Sequence, residues 1–112
     1  MTFRLIAAGT CDHSHQEDRY HPSRALAHLV RARTTRCCAP GCNAQAARCE
    51  LDHTTPYPEG KTCECDLSPA CAVHHRCKHA PGWHLGTPEP GVMRWTLPSG
   101  RTLVTYPDRY EL

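Results

Sequence analysis

A small α+β domain held together by metal is the fold class this sequence predicts, and three observations predict it. The 112-residue chain has only fifteen Leu, Val, Ile and Phe residues in all, while ten Pro and seven Gly multiply its loops. Nine Cys and nine His are interleaved along it, and domains with thin cores need disulfides or metal. The local patterns run helix, Cys-rich turn, strand, loop, helix, hairpin, with no internal repeat.

The first segment, 1–20, reads as an irregular lead-in containing the cluster Cys-Asp-His-Ser-His at 11–15. A single domain is expected over 21–106, with its metal-bearing core at 37–79 and a tail at 107–112. A helix is predicted over Pro22–Arg33, where Leu26, Leu29, Val30 and Arg33 recur at i, i+3, i+4 and i+7. Pro22 suits the first helical position, where its missing N–H is not needed. Arg24, His28 and Arg31 share another face, which is therefore basic.

Cys-Cys-Ala-Pro-Gly-Cys at 37–42 predicts a turn that brings flanking cysteines together. A short strand is expected over Arg48–His53 and a Pro- and Gly-containing loop over 54–65. A second helix is expected from Pro69 to about His79, capped by Asp66 or Ser68 and ended by Pro81-Gly82. Trp83–Leu85 and a hairpin of 92–97 with 101–106, turning at Pro98-Ser99-Gly100, complete the domain. Met93, Trp95 and Leu97 alternate with Val92, Arg94 and Thr96, so one face of that hairpin is apolar.

The cysteines read as thiolate ligands rather than disulfides. Their count is odd, histidines lie among them, and Phe3–Gly9 is too short for a secretory leader. A reducing, cytoplasmic setting is expected, and no apolar run approaches the roughly 20 residues that span a bilayer. The net charge of +2 conceals a division: residues 19–36 carry five Arg and no acid, whereas 37–70 carry two bases and five acids. A basic block beside an acidic, histidine-bearing loop suits a protein that holds phosphate with one part and cations with another.

Two pairs have zinc-ligand spacing. Cys37 and Cys42 flank the Pro-Gly turn, and Cys71 and His74, at i and i+3, share a helix face. Together they describe a tetrahedral Cys₃His zinc site, with Cys38 an alternative to Cys37 and Cys77 or His75 an alternative to His74. A helix advances about 100° per residue, so a His74 facing the turn leaves His75 facing elsewhere. There it can meet the strand carrying Asp52-His53. A carboxylate and an imidazole on one hard divalent cation, with water positions open, suit phosphodiester cleavage. Cys11, His13 and His15 (C-x-H-x-H) and Cys63 and Cys65 (C-x-C), with Cys49 also unassigned, offer further metal half-sites, which a second zinc could join by tying the lead-in to the loop.

The pattern C-x₄-C (Cys37, Cys42), L-D-H-x-x-P-Y (Leu51 to Tyr57) and C-x-x-H-H-x-x-K (Cys71 to Lys78) resembles the HNH endonucleases of the ββα-metal fold. The stretches at 31–42, 51–58 and 79–101 are similar, more narrowly, to the C-terminal HNH domain of a large actinobacterial family. The likeness runs from about Cys11 to Tyr106. Members usually carry an N-terminal domain of unknown function, so a partner domain outside this chain is implied.

The resemblance implies a zinc-stapled ββα-metal domain with a preceding helix and a C-terminal hairpin. His53 would be the general base, Asp52 and His75 the ligands of a catalytic Mg²⁺ or Mn²⁺, and Cys37, Cys42, Cys71 and His74 the structural zinc ligands. DNA is the implied partner, with Arg24, Arg31, Arg76 and Lys78 as phosphate contacts, and the products would carry a 5′-phosphate and a 3′-hydroxyl. Asp66 stands where the family has Asn, whose side chain donates a hydrogen bond that steadies the base's loop. Ionised Asp only accepts; it is expected to cap the helix or to hydrogen-bond the His53 imidazole. His21, His28, His79 and His84 read as ordinary polar residues. Two other function classes fit the composition: a non-catalytic zinc module binding nucleic acid through Arg24, Arg31, Arg33 and the hairpin, and a disulfide-held secreted scaffold.

Overall fold

The computed structural model describes residues 11–107. The lead-in before Cys11 and the tail after Pro107 lie outside the described residues. Helix α1 spans Arg24–Arg33 and starts where Ser23 accepts a hydrogen bond from Leu26 N (3.2 Å). Pro22 thus precedes the cap rather than opening the helix. Leu26 and Val30 are buried, but Leu29 is 40% exposed, against the expectation that it shares their face. The helix packs on Leu67 and Leu51 alone in this cluster, so the buried stripe is one residue narrower than its sequence spacing allows.

After the Cys-rich turn come a 3₁₀ turn at Ala46–Arg48 and strand β1, Glu50–His53. Strand β2, Leu67–Ala70, pairs antiparallel with it: Glu50 faces Ala70, Asp52 faces Ser68 and His53 faces Leu67. Helix α2, Ala72–Lys78, follows at once. This corrects the helix expected from Pro69. Pro69 lies in a fully buried strand, in a two-stranded sheet where every strand is an edge and proline is tolerated. Its carbonyl accepts from Cys38 N (2.8 Å). Neither Asp66 nor Ser68 caps α2; Cys71 is the N-cap, without a side-chain hydrogen bond.

Strands β3 (His84–Glu89), β4 (Val92–Thr96) and β5 (Thr102–Thr105) form a second antiparallel sheet in that order. The expected Trp83–Leu85 strand is therefore longer and starts one residue later. Gly100, at φ +87°, lets the β4–β5 turn close, as expected for Pro98-Ser99-Gly100. Met93 and Trp95 are each 1% exposed and join Cys37, Cys38, Ala39, Cys49 and Ala70 in the main core. The indole N–H of Trp95 (3.1 Å) and the Thr105 hydroxyl (2.7 Å) both donate to Cys38 O, tying this sheet to the turn. Cysteine and alanine fill much of that core, and α2 buries none of its residues. Apolar packing alone leaves α2 without an anchor.

Candidate functional site

The anchor is a side-chain cluster. The ligand atoms of Cys37, Cys42, Cys71 and His74 all lie within 4.8 Å of one another. His74 Nδ1 is 3.6 Å from Cys37 Sγ and 3.2 Å from Cys71 Sγ. A tetrahedral zinc with Zn–S about 2.3 Å and Zn–N about 2.0 Å sets sulfur–nitrogen separations of about 3.5 Å, so this donor set fits Zn²⁺. The turn is shaped by Cys37 N donating to Ala44 O (2.8 Å) and Cys42 N to Ala39 O (3.2 Å). Of the two neighbouring cysteines, Cys37 is the more acidic: hydrogen bonding from Cys38 above all, against burial and with help from the Cys71 and Ala39 amides, lowers it to about 4. Cys38 is raised by the same pairing and by burial. Cys49 stays outside, its thiol on Gln45 O (3.4 Å) and raised to about 11 by burial first and then by the neighbouring Cys37.

His75 looks the other way. Its Nε2 is 3.3 Å from Asp52 Oδ1, and its Nδ1 is 3.2 Å from Glu50 Oε2. Glu50 was not among the residues singled out from the sequence, although it sits two residues before Asp52, on the same face of a strand. An imidazole whose Nδ1–H is held by a carboxylate presents Nε2 as a ligand, the arrangement that orients metal-binding histidines. Lys78 is not available to phosphate as expected. Its ammonium, on a side chain 10% exposed, bonds Asp52 Oδ2 at 2.6 Å and also His53 O.

His53 ends β1 and is 6% exposed. Tyr20 stacks on its ring at 5.5 Å and Tyr57 lies at 5.8 Å. Its Nε2 meets Thr62 Oγ1 at 2.9 Å. Burial chiefly lowers its pKa, opposed by Asp52, so the ring stays neutral near neutral pH. Asp66 fills neither expected role: Cys71, not Asp66, caps α2, and the imidazole's partner is Thr62. Its Oδ1 accepts from Thr55 N (2.9 Å) and its carbonyl from Thr54 N (2.9 Å), which fixes the loop leaving His53. Its Oδ2 is buried without a hydrogen-bond partner, and burial raises the carboxyl to about 6. Gly60 admits it closely: a Cβ there would stand 2.5 Å from Asp66 Oδ2 and 1.9 Å from Thr55 O.

A second cluster joins Cys11, His13, Cys63 and Cys65, again within 4.8 Å. His15 and Cys49, grouped with these in the sequence, are not in it; His15 Nδ1 instead meets Glu64 at 3.5 Å. All nine cysteines are free of disulfides, against the disulfide-scaffold reading. Of the four residues expected to contact phosphate, Arg24 and Arg76 are exposed. Arg31 is committed to Ala46 O and Cys49 O at 3.1 Å each, a correction to its expected place on a free basic face. Arg33 is likewise turned inward, onto Glu64 O and Leu67 O. Among the described residues no helix is long and apolar enough to cross a membrane.

No family model and no solved structure matches the chain. Curated relatives come from Mycobacterium tuberculosis. "Uncharacterized protein Rv3776" is 41% identical over 93 residues, covering 82% of this chain and 18% of the relative. "Uncharacterized protein Rv2100" is 40% identical over 92 residues, covering 81% and 17%. "Uncharacterized protein Rv1128c" is 31% identical over 84 residues, covering 70% and 18%. The chain therefore spans less than a fifth of the length of these relatives.

Proposed function

We propose that this chain is a metal-dependent HNH endonuclease that hydrolyses DNA phosphodiester bonds, nicking or cutting both strands. The observation that carries the reading is the 3.3 Å approach of His75 Nε2 to Asp52 Oδ1, one residue from the neutral, loop-fixed His53. The order of antiparallel β1, β2 and then α2, with a Cys₃His cluster anchoring the helix, supports it as the ββα-metal arrangement. Asp52 and His75 would hold Mg²⁺ or Mn²⁺, which when bound supplies positive charge to the scissile phosphate and the departing 3′-oxygen. His53 takes the proton of the attacking water, a role such bases fill with about 10²–10⁴-fold effect. Glu50 keeps the His75 ring aimed. Asp66 steadies the loop after His53 by accepting a backbone N–H rather than by donating. Arg24 and Arg76, both exposed, are the phosphate contacts that remain. The long mycobacterial relatives support a role as one module of a larger protein.

The test is plasmid nicking with Mg²⁺ or Mn²⁺. The parent nicks, and His53→Ala at matched zinc content is at least about 10²-fold slower; equal rates would remove His53 from the reaction. One observation favours a second reading, a non-catalytic nucleic-acid module: Lys78 already places a positive charge on Asp52. That reading predicts salt-sensitive DNA binding, independent of Mg²⁺ and without nicking.

A further inference from the structure

We infer that Cys11, His13, Cys63 and Cys65 bind a second Zn²⁺, and that this ion clamps the lead-in against the loop so that Thr62 holds His53 as its Nε2–H tautomer. The first half stands on donor geometry. Cys11 Sγ and Cys63 Sγ are 3.6 Å apart, and His13 Nδ1 is 3.6 Å from both Cys63 Sγ and Cys65 Sγ. Those separations are tetrahedral edges around a zinc at thiolate and imidazole bond lengths. Three thiols and one imidazole form a soft donor set, which selects zinc over magnesium or calcium.

Two further features point to a ligand here. His13 is the one non-glycine among the described residues at positive φ, +59°, a strained conformation of the kind that persists where surroundings enforce it. Its N–H points to Cys11 Sγ at 3.4 Å, curling the Cys-x-His segment around one point. Beside the cluster sits the half-buried guanidinium of Arg33, held by Glu64 O and Leu67 O (2.8 Å to the latter). Cys65 and Cys11 are among the groups whose negative charge favours it. A zinc with three thiolates carries net negative charge, and Arg33 is placed to offset it.

The second half follows the hydrogen bonds outward from the cluster. Thr62 immediately precedes the ligand Cys63. Its carbonyl accepts from Glu17 N (2.8 Å), which joins loop to lead-in. Its hydroxyl donates to Arg19 O, with Tyr20 O at 3.3 Å. A hydroxyl has one hydrogen. With that hydrogen directed at lead-in carbonyls, Oγ1 can only accept from His53, so Nε2 carries the proton and Nδ1 is left basic. Thr62 is thus a positioning residue for His53, and Cys11 and His13 hold the lead-in whose carbonyls orient Thr62. This half rests on the nuclease reading for its purpose; the zinc itself does not.

The test uses the full chain. Atomic emission on protein refolded with Zn²⁺ alone should read two zincs per chain in the parent, one in His13→Ala and in Cys65→Ala, and two again in His13→Cys. A parent value of one overturns the site. Because an alanine variant that unfolds would lose both ions, helix and sheet content by circular dichroism accompanies each count. Refilling with Co²⁺ should give the intense visible bands of tetrahedral thiolate coordination from one site in His13→Ala. The imidazole ¹⁵N spectrum, recorded without Mg²⁺ at alkaline pH, should show His53 as Nε2–H in the parent and as mixed tautomers in His13→Ala and Thr62→Val. An unchanged spectrum after loss of one zinc overturns the clamp. If the spectrum changes as expected while His53→Ala nicks like the parent, the nuclease reading fails and the clamp stands. Nicking by His13→Ala is expected to fall about 10–100-fold, the usual effect of disturbing outer-shell partners.

Discussion

The two Cys/His clusters have the same donor set and opposite surroundings. The first takes Cys37 and Cys42 from a Pro-Gly turn and Cys71 and His74 from the start of α2, against a core that includes Trp95. The second draws all four ligands from backbone outside any helix or strand, two from the lead-in and two from the loop before β2. One therefore joins elements that have little else to join them; the other fastens a strap to a domain already formed. Identical donor chemistry would then serve as a scaffold in one place and as a clamp in the other.

The largest difference between them should appear on metal removal. Structural zinc contributes about 10–16 kcal/mol of apparent binding energy, which in such domains is folding energy. Chelation of the parent, or Cys71→Ser, should abolish helix and sheet signal together. His13→Ala should keep that signal and melt cooperatively at lower temperature. Circular dichroism of the two variants side by side decides it, and equal loss in both would erase the distinction between scaffold and strap.

Next in size is the effect of Lys78, which ends α2. Its ammonium is shared by Asp52 Oδ2 and His53 O. On the nuclease reading it competes with the catalytic cation for Asp52. Lys78→Met should lower the Mg²⁺ concentration for half-maximal nicking several-fold. It should also destabilise the fold by about 1–3 kcal/mol, because the partly buried Asp52 loses a charge-assisted bond. A higher Mg²⁺ requirement would instead make Lys78 a support for Asp52 in the metal-bound state.

The scaffold cluster was legible in the sequence because its ligands come in pairs close along the chain, and paired spacing survives any fold. The divergence of His74 and His75 was legible for the same reason, since helix geometry fixes it. The second cluster was legible as Cys-x-His and Cys-x-Cys half-sites, but His15 and Cys49 stood beside them as equal candidates. Which of them meet depends on how a long loop returns to the lead-in, and no local period encodes that. Pro69 misled because proline suits both a first helical turn and an edge strand; the burial of β2 under α1 settled it. Arg31 misled because helical spacing cannot tell a solvated guanidinium from one bonded to carbonyls of a neighbouring turn. Thr62 and Glu50 carried no signal of their own type. Their roles come from the residues they touch.

The smallest expected effect falls at Asp66, on the loop the two regions share: one residue beyond the strap ligand Cys65, and bonded to the loop leaving His53. Its Oδ1 does useful work for Thr55 N, whereas its buried Oδ2 has no partner. Asp66→Asn keeps the acceptor and puts an N–H₂ group where that oxygen sits, beside Gly60, where Thr55 O also crowds in. A small shift gives the amide a carbonyl to donate to, and a buried unpaired polar atom costs about 1–3 kcal/mol. The variant should therefore melt a few degrees higher in neutral buffer, with both zincs retained, and should nick somewhat faster because the loop after His53 is held from two sides. A lower melting temperature would mean that the carboxylate charge is itself needed, most directly by Lys78, whose charge lowers the Asp66 pKa while burial raises it. Repeating Asp66→Asn in the Lys78→Met background separates the two cases: a gain that persists belongs to the amide, and a loss that disappears belongs to the attraction of the Lys78 charge.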